Sequence, residues 1–143
     1  MTQGRVVVGY DGRWQGPEVL DAAAAEAERR GVPLSLVTLI RVEDDAQCLS
    51  ERPPYGRQAR KVARRALDEA RAYLAVRRPG LRVACHVLSF DEVDPEVEPF
   101  RSCAVLVLGD RGNHDAPPRA LGSASRRLSG AVAAPLLEVT RST

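Results

Sequence analysis

Along the chain, short β-branched or leucine-rich runs alternate with longer stretches whose apolar residues recur every three or four positions. The run from Arg5 to Tyr10 ends in Gly9-Tyr10-Asp11-Gly12 and predicts a buried strand stopped by a turn. From Pro17 to Arg30, Val19, Leu20, Ala23, Ala24 and Ala27 fall at helical spacing, with Pro17 suited to the first turn and Gly31 to the stop. Leu34 to Ile40 predicts a second strand, and the polar stretch 42–56, with Pro53-Pro54, a long loop of the kind that is often functional. Arg57 to Arg78 predicts a second helix with an apolar stripe of Val62, Ala63, Ala66, Leu67, Ala70 and Leu74, ended by Pro79-Gly80. Leu81 to Leu88 and Ala104 to Leu108 read as the third and fourth strands; between them Pro95 suits the start of a short helix that Pro99 would kink or end. Ser123 to Val132, with Leu128 and Val132 facing inward, reads as the last helix, and Pro135 to Thr140 as the last strand.

Strands separated by helices require right-handed crossovers and a parallel sheet covered on both faces, an α/β fold. In such sheets ligands sit beyond the carboxyl ends of the strands, where the strand order reverses. Asp11 and Gly109 mark those ends.

The 143 residues match the size of a single domain, and a hydrophobic content of 44% suffices for a core without disulfides or metals. Lys plus Arg is 21 against 19 for Asp plus Glu, so the net charge of +2 gives no electrostatic reason to expect a nucleic-acid or membrane partner. The second helix carries Arg57, Arg60, Lys61, Arg64 and Arg71 opposite its apolar stripe, but Asp68 and Glu69 on the same helix favour a solvated surface. Cys48, Cys85 and Cys103 lack metal or redox spacing and read as ordinary thiols. The start runs directly into a strand with no secretory pattern, and no apolar run approaches the roughly 20 residues that span a bilayer. A cytoplasmic protein is expected.

The segment richest in chemistry begins as the fourth strand ends: Gly109-Asp110-Arg111-Gly112, nine residues, then Gly122-Ser123 opening a helix. Glycines there let main-chain N–H groups approach an anion, and Ser123 can cap the helix or donate its hydroxyl to phosphate. The helix amino end adds partial positive charge. The pattern is equally that of a glycine-rich loop with an ordinary capping serine, and spacing alone does not separate the two. Arg111, Arg119, Arg126 and Arg127 are near in sequence and are candidates to neutralise phosphate, or solvent-facing arginines. His114 and His86 receive no functional role, His86 reading as a structural residue of the third strand.

Gly109, Gly112, Gly122 and Ser123 fit, without a gap, the phosphate signature of the ATP-binding branch of the universal stress proteins: Gly, two residues, Gly, nine residues, Gly, then Ser or Thr. The chain also resembles that family in Val6-Val7-Val8-Gly9-Tyr10-Asp11-Gly12 and in the ending Ala134-Pro135-Leu136-Leu137-Glu138-Val139. The resemblance implies a Rossmann-like, five-stranded parallel sheet of order 3-2-1-4-5 in a single domain over 1–143. It implies that Asp11, otherwise a turn cap, contacts the nucleoside end of the ligand and that the backbone of Leu39 reads adenine. Gly109, Gly112, Gly122, Ser123 and the backbone of Ala124 would hold ribose and phosphates. The implied ligand is ATP, with AMP or ADP as alternatives, and Mg2+ is a candidate companion because a carboxylate at Asp110 repels a triphosphate unless a cation compensates. A homodimer through the last strand, Leu136 to Thr140, is implied as well.

Other nucleotide folds fit less well. Lys61, the only lysine, lies in a helix, which removes the late-strand lysine of a receiver domain and the Gly-Lys-Ser/Thr of a Walker loop. A dinucleotide-binding domain requires its glycine fingerprint after the first strand, where only Gly9 and Gly12 occur. Three readings remain open: a nucleotide-binding stress or regulatory module, a weak ATP hydrolase, and a dimeric scaffold that has lost nucleotide affinity.

Overall fold

The computed structural model describes residues 4–10, 17–40, 53–109 and 123–139, with backbone alone for 53–59 and 123–125. Its strands are β1 (Arg5–Gly9), β2 (Leu34–Ile40), β3 (Val83–Ser89), β4 (Cys103–Gly109) and β5 (Leu136–Val139). Its α-helices among the described residues are α1 (Pro17–Arg30), α2 (Pro53–Arg77) and α3 (Ser123–Ala131). Every strand pair is parallel and the order is β3-β2-β1-β4-β5, as the resemblance implies. The order reverses between β1 and β4: β1, β2 and β3 step outward on one side, then the chain crosses back to β4 and β5 on the other.

Helices on both faces follow from right-handed crossovers taken in opposite directions. On one face Val6, Val8, Leu34, Leu36, Val105 and Val107 pack with α1 (Val19, Leu20, Ala23, Ala24, Ala27) and α2 (Leu67, Ala70, Leu74). The other face buries Val7, Val37, Leu106 and Leu108 under Leu128 of α3, Val132, and Val93 and Phe100 from the β3–β4 crossover. The central strands are thus buried on both faces, which is why β1 and β4 read as continuous apolar runs and β2 as an apolar run broken only by the buried Ser35 and Thr38.

Helix α1 ends as its sequence predicts. Gly31 takes φ +69°, its amide bonds to the Glu28 carbonyl (3.2 Å), and the Val32 amide reaches back to Ala27 (3.0 Å). That bond pair is a Schellman cap, which favours glycine at the left-handed position. The α1 and α2 helices are joined by the Tyr73 hydroxyl, 3.1 Å from each oxygen of the Asp21 carboxylate, with the Arg77 guanidinium 5.1 Å from the Tyr73 ring centroid.

The second helix departs from expectation. It starts at Pro53, inside the stretch expected to be loop, because first-turn N–H groups have no helical partner and prolines there forfeit nothing. Val62, placed on the apolar stripe by spacing, is 58% exposed; the buried stripe is Ala63, Leu67, Ala70 and Leu74. Between β3 and β4 the proline-bounded segment forms only single 3-10 turns, Phe90–Glu92 and Phe100–Ser102, and no α-helix. The expected stripe residues Leu128 and Val132 at the end of the chain are buried.

Candidate functional site

The carboxyl ends of β1, β2 and β4 and the start of α3 meet where the strand order reverses, the place ligands occupy in open parallel sheets. β1 stops pairing with β2 at Gly9, opposite Val37, and the Tyr10 amide then donates to the Val37 carbonyl at 2.9 Å. The Tyr10 carbonyl in turn accepts from the Thr38 hydroxyl at 2.5 Å. Tyr10 is therefore held to β2 through both main-chain groups, which fixes the direction in which the chain leaves β1.

Leu39 follows two residues after Val37. In a parallel strand the main-chain groups of alternate residues point to the same neighbour, so those of Leu39 face the β1 side, as Val37 does, past the last paired residue of β1. Gly109 is the final residue of β4, paired on its outer side with Val139 and lying one residue beyond the Leu108–Gly9 level. Across the switch, Ser123 is the first residue of α3 and Ala124 the second, so both amides belong to the unpartnered first turn of the helix. That turn itself carries no acidic residue to offset the partial positive charge of the helix amino end.

Helix α3 is seated by Gly9. A Cβ on Gly9 would lie 2.8 Å from both Leu108 Cδ2 and Leu128 Cδ1, closer than carbon atoms approach. Leu128 of α3 drops into this space and is 1% exposed. The sequence reads Gly9 only as part of the signal that stops the first strand; in the structure it is the last strand residue and its missing side chain admits the helix. A second anchor is Arg127, offered by sequence as a phosphate partner. Its Nε and Nη2 donate instead to the carbonyls of Phe90 (3.1 Å) and Val93 (2.8 Å), just after β3. Arg126 is exposed.

Thus Gly109 ends β4, Leu39 lies one residue from the end of β2, and Ser123 and Ala124 open α3, all at the element ends that the sequence reading assigns them. Asp11, Gly112 and Gly122 lie outside the described residues, as do Asp110, Arg111, His114 and Arg119. Sequence reasoning missed Thr38 and the packing role of Gly9; a hydroxyl one residue before a strand's expected binding position was the available signal for the former.

Two cysteine thiols among the described residues have their pKa raised by burial. Burial pushes the half-buried Cys103 thiol up to about 11 and raises that of Cys85, so both are protonated, inert thiols at neutral pH. Among the described residues no group of three or more His, Cys, Asp or Glu could hold a metal ion. No helix among them is long and apolar enough to cross a membrane. A cleft of about 600 Å³ lined by Glu28, Gly31, Pro33, Gly80 and Arg82 opens at the opposite, amino end of β2 and β3.

A doubly wound parallel sheet whose strand order reverses between β1 and β4 defines a class of α/β proteins that commonly bind small ligands at that switch point. Within that class the chain belongs to the universal stress protein family, whose model matches residues 3–139. Among curated proteins none matches it. Among solved structures it is similar to a universal stress protein from Archaeoglobus fulgidus, at 20% identity and a TM-score of 0.67 over 96% of this chain and 98% of that one. It is also similar to UspA from Lactobacillus plantarum (13% identity, TM-score 0.68, 97% and 99% covered). A third is a universal stress protein in complex with cAMP (21% identity, TM-score 0.59, 99% and 100% covered). At these identities the likeness is one of fold.

Proposed function

We propose that the chain binds an adenine nucleotide at the carboxyl end of its sheet and acts as a regulatory or stress-response module whose surface responds to occupancy. The observation that carries this reading is the convergence toward the switch point of the β2 main chain at Leu39, past the last paired residue of β1, the glycine end of β4 at Gly109 and the acid-free amino turn of α3. A protein of the same fold in complex with cAMP supports an adenine nucleotide over other anions. In this reading Leu39 N–H and C=O read the adenine edge and Asp11 accepts from the ribose. Gly109, Gly112 and Gly122 keep the main chain close to the phosphates, and Ser123 with the Ala124 amide donates to them. The ligand is ATP, with ADP or AMP as alternatives; Mg2+ would offset the carboxylate at Asp110. A homodimer through β5 completes the proposal.

Calorimetric titration of ATP with Mg2+ is expected to show saturable binding. Gly122→Val should abolish it by placing a branched side chain where phosphate oxygens sit, and Ser123→Ala should weaken it by about 0.5 to 3 kcal/mol. Equal affinity in all three proteins refutes the assignment of the site. Absence of binding in the unaltered chain refutes the function and leaves the dimeric scaffold. Phosphate release followed over hours separates a binding module from a slow hydrolase.

A further inference from the structure

The Arg127 guanidinium bonds to the main chain of the turn that follows β3, on the far side of β2 from the switch point. That turn is itself well defined: the Ser89 amide donates to Glu92 Oε1 at 2.7 Å, and the Val93 amide to the Phe90 carbonyl at 3.4 Å. Val93 is 3% exposed and belongs to the same apolar cluster as Leu128 and Val132. Helix α3 is therefore gripped twice within adjacent residues, by Leu128 against β1 and β4 and by Arg127 against the turn. Arg127 lies little more than one helical turn from Ser123, so its bonds are placed to fix the direction of the amino end of α3.

We propose that Arg127 is a positioning residue that orients the amino end of α3 for nucleotide phosphates and couples occupancy there to the turn 89–93. This rests on the nucleotide reading above and goes beyond it by naming where occupancy is read out. Two main-chain carbonyls receive a planar fork from Arg127, a geometry that a lysine ammonium matches only in part. The exposed Asp91 and Glu92 lie within the turn, so a shift of Val93 moves charged surface.

Residue-resolved amide exchange on the full chain, with and without ATP and Mg2+, tests this with Arg127→Met and Arg127→Lys. Without nucleotide, Arg127→Met is expected to speed exchange of the Val93 and Val132 amides together about tenfold while α1 amides stay unchanged. If the two amides respond separately or not at all, the positioning role is wrong, whether or not ATP binds. With ATP, the unaltered chain is expected to gain protection at Val93; Arg127→Met should lose that gain and bind ATP about tenfold more weakly, with Arg127→Lys between the two. A purely structural arginine would give no ATP-dependent protection at Val93, and that result overturns the coupling. An unaltered chain that fails to bind ATP overturns the nucleotide reading and the coupling with it, while the nucleotide-free exchange still decides the positioning role.

Discussion

At the scale of single residues, the site depends on groups too small to register in a hydropathy pattern. Gly9 is the clearest case. Gly9→Ala sets a methyl against two leucine side chains that are at most 1% exposed and have little room to withdraw. Overpacking of this kind costs about 1–3 kcal/mol, and because Leu128 must lift, α3 moves with it. Urea denaturation should show the stability loss and ATP titration a parallel loss of affinity; a fully stable Gly9→Ala chain with unaltered affinity contradicts the seating described for α3. His86 gives a different residue-scale outcome. It faces the same side of the sheet as Ser35, and its buried Nε2 has no hydrogen-bond partner among the described residues. Burial lowers its pKa below 6.5, with Arg5 of β1 and Arg64 of α2 acting in the same direction and Glu98 of the crossover opposing them. The sign follows from linkage. Above 6.5 the imidazole is neutral folded and unfolded, and its contribution to stability is complete; below 6.5 the unfolded chain takes a proton that the folded chain resists, and stability falls until the folded pKa is passed. His86→Gln should therefore flatten the acid side of the stability profile below pH 6.5, measured by denaturant midpoints across pH. An unchanged slope would assign the acid loss to other groups.

At the scale of elements, the sequence was most legible where one physical demand dominated. Val6-Val7-Val8 and Val105-Leu106-Val107-Leu108 are buried on both faces, and their shortness, β-branched residues and flanking glycines mark these uninterrupted apolar runs as inner parallel strands. Gly31 ended α1 because a left-handed residue was needed there. The start of α2 was illegible because proline breaks a helix interior but not its first turn, and spacing cannot tell which turn a proline occupies. Val62 was misplaced for a related reason: beside Ala63 and Ala66 it extends an apolar arc, and only the position of α1 and the sheet decides which edge of that arc is covered. Of the candidate site, Leu39, Gly109, Ser123 and Ala124 were located correctly at element ends, whereas the bonding of Arg127 depends on a tertiary contact 34 to 37 residues away that no local pattern encodes. The α1–α2 contact yields an element-scale prediction. Tyr73→Phe removes the hydroxyl bound to Asp21 but keeps the ring under Arg77, and Arg77 Nε at 3.4 Å still faces Asp21 Oδ1. The loss should be about 0.5–1.5 kcal/mol in thermal or urea unfolding, without effect on ATP affinity, because this contact lies on the face away from α3. A change in affinity would mean that the two faces are coupled.

For the whole molecule, the homodimer proposed above turns on the two sheet edges. Strand β3 is half-buried along most of its length, and Arg71 Nη2 already donates to its Val83 carbonyl at 2.9 Å. Strand β5 is left open: Leu136 is 46% and Leu137 36% exposed, and the adjoining Ala133 and Pro135 are exposed too. An apolar, unguarded edge invites pairing with another copy, and a two-fold axis lets identical strands satisfy each other. Four residues of strand fall short of the roughly 800 Å² per partner typical of a stable interface, so the contact must extend over flanking residues. It should persist in high salt, since its core is apolar and Glu138 supplies the only charge within the strand. Sedimentation at micromolar protein is expected to give a dimer that survives 1 M NaCl, where the Debye length is about 3 Å. Leu136→Asp with Leu137→Asp should give a monomer that still folds, because both side chains are already substantially exposed in the single chain, but whose unfolding midpoint no longer rises with protein concentration as that of the dimer does. A monomer from the outset, or a dimer indifferent to the double substitution, would move the association surface away from β5.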